Sequence, residues 1–579
     1  MTRALFAAVA LASAGPALAQ DLARDPLAPI AAPQPGGQPQ PIILAPPGAA
    51  PIAAPIRVPR DWRELFTAIR NKEWASAQVG IAVLPSHVLT PIAKAELYTA
   101  KDSPVVGLAQ LQALIAEAPD LPQADQLARL ALTRGALATP PVVATRRLAW
   151  LGSAPTRIRA RAVQGEPAAD QLRAALDPLL KADAAGEAEA LLVQAAPFLS
   201  FEARAEAGQR IAWAYYQLGR DWDARRVADS ARLGARGDWA AHSAWIAGLA
   251  SWRLTDCEAA SRSFREVAGL SRERELGSAG YYWAARAEQA CRRPGAVEPL
   301  LKAAARSNES FYGLIARETL GVDTRMAADA HASGAADGIP NVRRAVALVG
   351  IGERWLAETM IRHQARIGRP EDHHGLIEVT RRLDLAGVQF WLAHNGQPGA
   401  IAHPQDRYPT PRWAPITGWR VDPALAFAHI IQESTFRADA VSPADAVGLM
   451  QVRPGTAQDM ARARNLPYSR ASLTDPSYNL EFGQSFIELM HRSSATGGQL
   501  PRMVAAYNAG PTPVGRWAAI PGQSDPLLWI ESIPYWETRF YVPAVLRNMW
   551  VYQGLAKADA PTLSAMAQHR WPAFPAPGR

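Results

Sequence analysis

The chain has 579 residues, 49% hydrophobic and 20% charged, an ordinary globular balance spread over more residues than one core holds. Lysine and arginine outnumber aspartate and glutamate by 61 to 53, a net charge of +8. No dense basic run accompanies this excess, which argues against a nucleic-acid partner, while the charge suits an acidic polymer and equally suits plain solubility.

At the N-terminus Arg3 precedes the apolar run Ala4 to Ala12, and Ala17-Leu18-Ala19 fits a small-residue cleavage site. Residues 1–19 therefore read as a signal peptide and Gln20 as the first mature residue. The run is too short to span a bilayer, and no later stretch reaches about 18 apolar residues. An exported chain with no integral membrane segment in its mature form is expected. No cysteine follows the cleavage site, which argues against a lipid anchor. Residues 20–60 hold eleven prolines, from Pro26 to Pro59, and read as an extended tether that packs no core.

Residues 61–400 are rich in Ala and Leu with helical periodicity. Arg210 to Leu233 reads as a helix, a stop at Gly219 and a second helix. Ala214, Ala250 and Ala287 sit at comparable points of successive pairs, 36 and 37 residues apart, close to the period of tetratricopeptide-type helix pairs. Such pairs stack into a superhelix. The two cysteines, Cys257 and Cys291, fall in neighbouring repeats, and in an oxidising compartment a bridge between them is favoured over two separate thiols. They come with no matching histidine pattern, so no metal site and no cofactor is expected.

Four prolines and several aromatics break the helical pattern between His403 and Trp419. A compact region, 401–556, follows, and 557–579, rich in Ala and Pro, reads as a tail. Asp422-Pro423 opens a helix with an N-cap acid and a proline at the first helical position. Ala424, Phe427, Ala428 and Ile431 give that helix an apolar face, and Glu433 closes it. Alone, such a glutamate is most often a solvated helix end. Its company changes the odds: Ser442-Pro443-Ala444 running into Gly448-Leu449-Met450-Gln451, then Ala505-Ala506-Tyr507-Asn508-Ala509-Gly510-Pro511, then Ile533 to Val542 (IPYWETRFYV).

In this order the four motifs resemble those of the soluble lytic transglycosylases of the bacterial periplasm, over about residues 405–550. Phe311-Tyr312-Gly313-Leu314 is similar to a segment of that family's superhelical domain. The resemblance implies an all-α protein, a helical-repeat superhelix followed by a lysozyme-like catalytic domain, located in the periplasm. It implies cleavage of the β-1,4 bond between N-acetylmuramic acid and N-acetylglucosamine in peptidoglycan glycan strands, leaving 1,6-anhydromuramic ends. Other cell-wall enzymes are candidate partners. Carried over by motif, Glu433 is the single catalytic acid. Ser442 holds substrate near its N-acetyl group, Met450 and Gln451 line the cleft beside the cut bond, Tyr507 and Asn508 support the acid and contact sugar, and Glu537 and Tyr541 frame the cleft. The plain alternatives are core packing for the two tyrosines and a helix-ending turn for Asn508-Ala509-Gly510.

Two positions depart from the family pattern. Asp445 stands where glycine is usual, and Arg453 where methionine is common. An extra carboxylate at Asp445 keeps a lysozyme-type hydrolase open as an alternative. A non-catalytic peptidoglycan-binding scaffold is the other, disfavoured because it has no need of all four motifs.

Overall fold

The structure, a computed structural model, describes residues 56–326 and 336–575. The expected signal peptide, 1–19, and all but the last few residues of the expected tether, 20–60, lie outside the described residues. Apart from Ile56, every described residue belongs to one unit that begins at Arg57. Among the described residues there are twenty-six α-helices and one short antiparallel pairing, β1 (Ala149–Trp150) with β2 (Asn395–Gly396). The all-α class that the resemblance implied is the class found.

The first five helices, α1 (Trp62–Arg70) through α5 (Ala124–Thr133), do not start a separate stack. Leu65, Ile92 and Leu127 share a core with Val342, Ile361 and Val388 from α15 (Pro340–Gly350) through α18 (Ala386–Leu392). The chain thus closes on itself across some 200 residues. Between these two groups run α6 (Pro167–Lys181) through α14 (Phe311–Thr319). Within them α8 (Phe201–Gln217), α10 (Gly237–Arg253) and α12 (Arg274–Ala290) are 17 residues each and start 36 and 37 residues apart, which is the spacing of Ala214, Ala250 and Ala287. Each alternates with a shorter partner, α9 (Asp221–Ala231), α11 (Cys257–Leu270) and α13 (Pro294–Ala305).

The turn inside each pair needs one residue in the left-handed region. Asp183, Gly219, Thr255 and Arg292 hold it, with φ between 57° and 74°. Only one of the four is glycine. Side-chain caps set the helix starts: Ser200 accepts from Ala203 N–H at 3.1 Å, and Asp256 from Ala259 N–H at 3.0 Å. Cys257 opens α11 and Cys291 caps α12, and the two are joined by a disulfide with their Cα atoms 5.5 Å apart.

Residues 401–556 begin with an irregular stretch pinned by buried polar contacts: Arg407 to Glu309 at 2.6 Å, and Tyr552 Oη donating to Pro409 O at 3.0 Å. The helices that follow are α19 (Pro423–Glu433), α20 (Pro454–Arg464), α21 (Pro476–Arg492), α22 (Leu500–Ala509), α23 (Pro511–Arg516), α24 (Pro526–Glu531) and α25 (Trp536–Leu555). All but α25 carry proline in the first two helical positions, where its missing N–H costs nothing. The expected one-sided apolar face of α19 is too narrow a description. Every residue from Ala424 to Ile431 is buried. Leu425, Ala426 and Ile430 fill the other sides, so the helix is apolar all round and is enclosed by its neighbours.

Residues 557–575, expected as a tail, pack instead. They form α26 (Pro561–Ala567), whose Leu563 and Met566 are buried in the main core, and Ser564 Oγ donates to Glu318 of α14 at 2.5 Å. Beyond it Leu500 N–H donates to Pro572 O at 3.0 Å, and Trp571 packs on Trp529. Alanine and proline made the composition look like a linker, but Leu563, Met566, Trp571 and Phe574 supply enough apolar surface to hold the segment down.

Candidate active site

Glu433 is the last residue of α19. Ser434 and Thr435 N–H groups both donate to Ile430 O at 3.0 Å, and Thr435 and Phe436 then adopt left-handed φ of 53° and 64°. This sharp stop turns the chain and drives Phe436 into the core, which fixes where Glu433 stands. The residue is only partly covered, yet its carboxyl is set against the packed wall. Tyr541 of α25 donates its hydroxyl to Glu433 Oε1 at 2.5 Å. Burial pushes the Glu433 carboxyl up to about 7, the Tyr541 hydrogen bond pulls it down and the nearby charge of Glu537 adds a smaller push upward. Burial also holds the Tyr541 and Tyr507 hydroxyls well above their ordinary value, so both remain neutral donors.

Tyr507, near the end of α22, donates to Met450 O at 2.8 Å and ties that helix to the Gly448–Gln451 loop. Asn508 donates to Glu537 Oε1 at 3.3 Å and accepts from Thr538 Oγ1 at 2.6 Å, which joins α22 to the first turn of α25. Tyr507, Asn508, Glu537 and Tyr541 are thus brought around Glu433 by two helices packed on α19.

The Gly448–Gln451 loop has a different role from the one expected of its side chains. Gly448 has φ of +80°, and a Cβ there would lie 2.2 Å from Asn479 Nδ2. Asn479, fully buried, donates to Val447 O and Leu473 O at 2.9 Å each and accepts from Met450 N–H at 2.7 Å. The Met450 side chain, expected to line the cleft, is fully buried over Gly483, where a Cβ would come 2.2 Å from its sulfur. Met450 reaches the site only through the carbonyl that Tyr507 holds. Gln451 donates to Ala440 O at 3.2 Å and Gly448 O at 2.9 Å, which braces the loop. Ser442 Oγ accepts from Ala446 N–H at 3.0 Å inside its own turn, and its hydrogen stays available to donate.

Three residues of the site were given no role by the motif reading, although Thr538 lies inside the last motif. Asn479 is one and Thr538 another. The third is His429, one turn before Glu433, with its ring 4.5 Å from that of Tyr507 and 6.1 Å from that of Tyr541. It is fully buried, donates from Nδ1 to Leu425 O at 2.8 Å, and burial pushes it down to about 4, so it is neutral at ordinary pH. The signal for His429 was its i−4 spacing from Glu433, which places both on one side of α19. Asn479 carried no such signal, because the loop it holds is 29 residues earlier in sequence.

Of the two departures, Asp445 sits at φ +60° and its carboxylate pairs with Arg470, both more than half exposed. Arg453 is exposed at the N-cap of α20. Among the described residues no group of three or more His, Cys, Asp or Glu is arranged to hold a metal ion.

Residues 414–530 match the family model described as the transglycosylase SLT domain. The chain is 34% identical over 155 residues to the soluble lytic murein transglycosylase of Escherichia coli K12, covering 26% of this chain and 24% of that protein. It is 36% identical over 132 residues to the protein of the same name from Salmonella typhimurium, covering 22% and 20%. The chain thus spans about a quarter of the length of these curated relatives. The fold likeness is far longer. A lytic transglycosylase Slt from Pseudomonas aeruginosa, solved as an inactive mutant, aligns over 88% of each chain with a TM-score of 0.54 at 19% identity. The 70 kDa soluble lytic transglycosylase of E. coli aligns over 88% of this chain and 99% of its own, with a TM-score of 0.53 at 18% identity. Residues 414–530 thus match a transglycosylase SLT domain, and most of the chain shares the fold of these two solved structures.

Proposed function

We propose that the chain is a peptidoglycan lytic transglycosylase of the periplasm, cutting between N-acetylmuramic acid and N-acetylglucosamine and leaving 1,6-anhydromuramic ends. The observation that carries this is one carboxyl, Glu433, held near neutrality in a packed wall with a single hydroxyl donor. Such a group is part protonated at neutral pH and can give its proton to the bridging oxygen O4 of N-acetylglucosamine. The C1–O4 bond breaks, the N-acetylglucosamine leaves with its protonated O4, and the muramic residue's own N-acetyl oxygen closes on C1. The ionised Glu433 takes the proton from the C6 hydroxyl as O6 attacks C1 and displaces the N-acetyl oxygen, so no water is consumed and the acid is restored.

Tyr541 keeps the Glu433 carboxyl aimed, Tyr507 and His429 close the wall behind it, and Asn508 with Glu537 forms the rim next to it. Ser442 offers its hydroxyl to the N-acetyl group. The domain division that goes with this reading is a superhelix over 61–400 and a catalytic domain over 401–556, with 557–575 strapping the two. No helix among the described residues is long and apolar enough to cross a membrane. The pairing of Asp445 with Arg470 speaks against the hydrolytic alternative, since a carboxylate engaged with an arginine on the surface is poorly placed to activate water.

The test is digestion of purified sacculi with the full chain and mass analysis of the products. Anhydro ends, lighter by one water and resistant to borohydride, are expected. Reducible muramic ends refute the transglycosylase reading. Glu433→Gln should lose about 10,000-fold or more in turnover, because one group supplies both proton transfers. Near-normal turnover of that variant would remove Glu433 from the role.

A further inference from the structure

α18 stands where two cores meet. Ala386 belongs to the main core with α19, whereas Val388 and Leu392 belong to the core in which α1–α5 close on α15–α18. The second residue of α18, Gly387, is buried, and a Cβ there would lie 2.9 Å from the carbonyl oxygen and 3.6 Å from the carbonyl carbon of Phe436. One turn on, the Phe390 ring centre is 6.3 Å from that of Phe436. Gly387 and Phe390 are three residues apart and share one face of α18, so that face meets both the backbone and the ring of Phe436.

Phe436 is the second of the two left-handed residues that end the turn after Glu433. Trp413 and Phe427 hold its ring from other sides, with centres at 6.2 Å and 6.4 Å. α18 is itself anchored: Arg362 of α16 donates to Gly387 O at 3.4 Å and lies 4.9 Å over the Trp391 ring, and Gln389 donates to Asp406 O at 3.2 Å. The Ser434 and Thr435 N–H groups fasten the span between Glu433 and Phe436 to Ile430 O. A shift of the Phe436 carbonyl therefore meets little slack before it reaches Glu433. Gly387 lies within a helix, where glycine is weaker than alanine, so nothing local calls for it. What the missing side chain provides is the close approach of Phe436 O.

We propose that Gly387 is a positioning residue for Glu433: by letting α18 seat directly against the Phe436 carbonyl, it sets where the α19 helix stops and so where the carboxyl stands. The proposal rests on the reading of Glu433 as the acid, but the contact can also be tested without turnover.

Gly387→Ala in the full chain is the first test. The added methyl meets backbone, which cannot rotate aside, so the Phe436 turn must yield by roughly 0.3–0.5 Å. At about 100-fold lost per ångström of misplacement, kcat should fall about fivefold with KM unchanged. Gly350→Ala, at the last residue of α15, is the control, because a Cβ there meets nothing within 4 Å, and its kcat should equal wild type. Phe390→Leu withdraws the ring without a clash; it should lower kcat by a smaller factor, and it decides the matter if Gly387→Ala does not fold. The loss should run through the Tyr541 hydrogen bond. In a Tyr541→Phe background Gly387→Ala should then cost less than about twofold, whereas a merely weakened fold costs the same in both backgrounds. Equal losses in the two backgrounds, or unchanged kcat in the Gly387 and Phe390 variants, would overturn the proposal.

The second measurement follows the Glu433 carboxyl carbon, assigned by its absence in Glu433→Gln, through a pH titration by carbon-13 NMR. The groups that face Glu433 are Tyr541 and Glu537 of α25, Tyr507 of α22 and His429 of α19, and substitution at Gly387 leaves all four in place. Gly387→Ala should raise the midpoint by about half a unit, because a longer Tyr541 bond favours the carboxylate less. An unmoved midpoint overturns the proposal. A wild type that cleaves no glycan, but whose Glu433 midpoint rises in Gly387→Ala, would refute the enzymatic reading and leave the positioning contact standing.

Discussion

Glu433 is tuned from two sides, and the two influences oppose each other. The Tyr541 hydroxyl favours the carboxylate and lowers its pKa, while the Glu537 charge favours the acid and raises it. If the protonated form is the one that starts the reaction, kcat/KM falls as pH rises through the Glu433 pKa of about 7. Tyr541→Phe removes the hydrogen bond that stabilises the charged form. A hydrogen bond to a charged group contributes about 1.5–3 kcal/mol and one pKa unit corresponds to about 1.4 kcal/mol, so the alkaline limb should move up by about one to two units. Glu537→Gln removes a like charge and should move the limb down. Glu537 is exposed, so its effect is screened and should amount to a few tenths of a unit.

The assay is a pH series of kcat/KM on soluble glycan for wild type and both variants, at about 0.1 M and 1 M salt. Debye screening shortens from about 10 Å to about 3 Å between these conditions, so the Glu537→Gln shift should fade at high salt while the Tyr541→Phe shift persists. The plateau rate of Tyr541→Phe should also drop, since the acid loses the group that aims it. Limbs that move in the same direction in the two variants, or a Tyr541→Phe limb that moves down, would refute the assignment of Glu433 as the titrating acid.

Stability should carry the same signature. A folded-state pKa above the unfolded value makes ionisation unfavourable in the native protein, so stability is lost as pH rises from about 4.5 to about 7. Glu433→Gln should therefore raise Tm at pH 8 by up to about 3 °C and leave it unchanged at pH 4, measured by calorimetry. The Cys257–Cys291 bridge closes a loop with a sequence separation of 34, worth about 3–4 kcal/mol in chain entropy. Reductant or Cys257→Ser should lower Tm, and thiol titration of unreduced, denatured protein should find no free thiol. Arg157→Ala leaves Glu531, 3% exposed, without its ion pair and should cost about 3 kcal/mol, read from urea unfolding. A change below about 0.5 kcal/mol would mean that the Tyr312 hydroxyl, 2.8 Å from the same oxygen, suffices alone.

The helix pairs were legible because Ala and Leu recur with a helical period and because one alanine position repeats at 36 and 37 residues. The turns were not, since three of the four left-handed positions are Asp183, Thr255 and Arg292, which carry no glycine signal. The closure of α1–α5 on α15–α18 was illegible for a deeper reason: an amphipathic helix announces that it has an apolar face, but not which other face covers it. In the site, Glu433 and its tyrosines were legible through motif order. Met450 was misleading because a motif does not say whether a residue serves through its side chain or its carbonyl. The strap at 557–575 was hidden by its alanine and proline content, although four well-spaced apolar residues decide its packing.

The placement of α25 ties the superhelix to the chemistry. One side of this helix carries Glu537 and Tyr541 toward Glu433. Two residues before Tyr541, Arg539 is buried with its guanidinium carbon 3.8 Å from the ring centre of Trp213 on α8, and burial lowers it to about 9. Just before the helix, Ser532 hydroxyl bonds to that of Tyr216 at 2.8 Å, and Glu531 is held by Arg157 and Tyr312. A rigid helix transmits a displacement of its N-terminal turn to the residues one turn along, and a hydrogen bond of 2.5 Å does not tolerate one of an ångström. The superhelix therefore bears on the geometry around Glu433. By fixing the first turn of α25 it fixes the Tyr541 hydroxyl, and through it the orientation of the Glu433 carboxyl. It follows that a fragment limited to 401–556 has the motifs but exposes Arg539, Glu531 and Ser532 to water, so it should cleave soluble glycan more slowly than the full chain even where its fold, judged by circular dichroism, is retained.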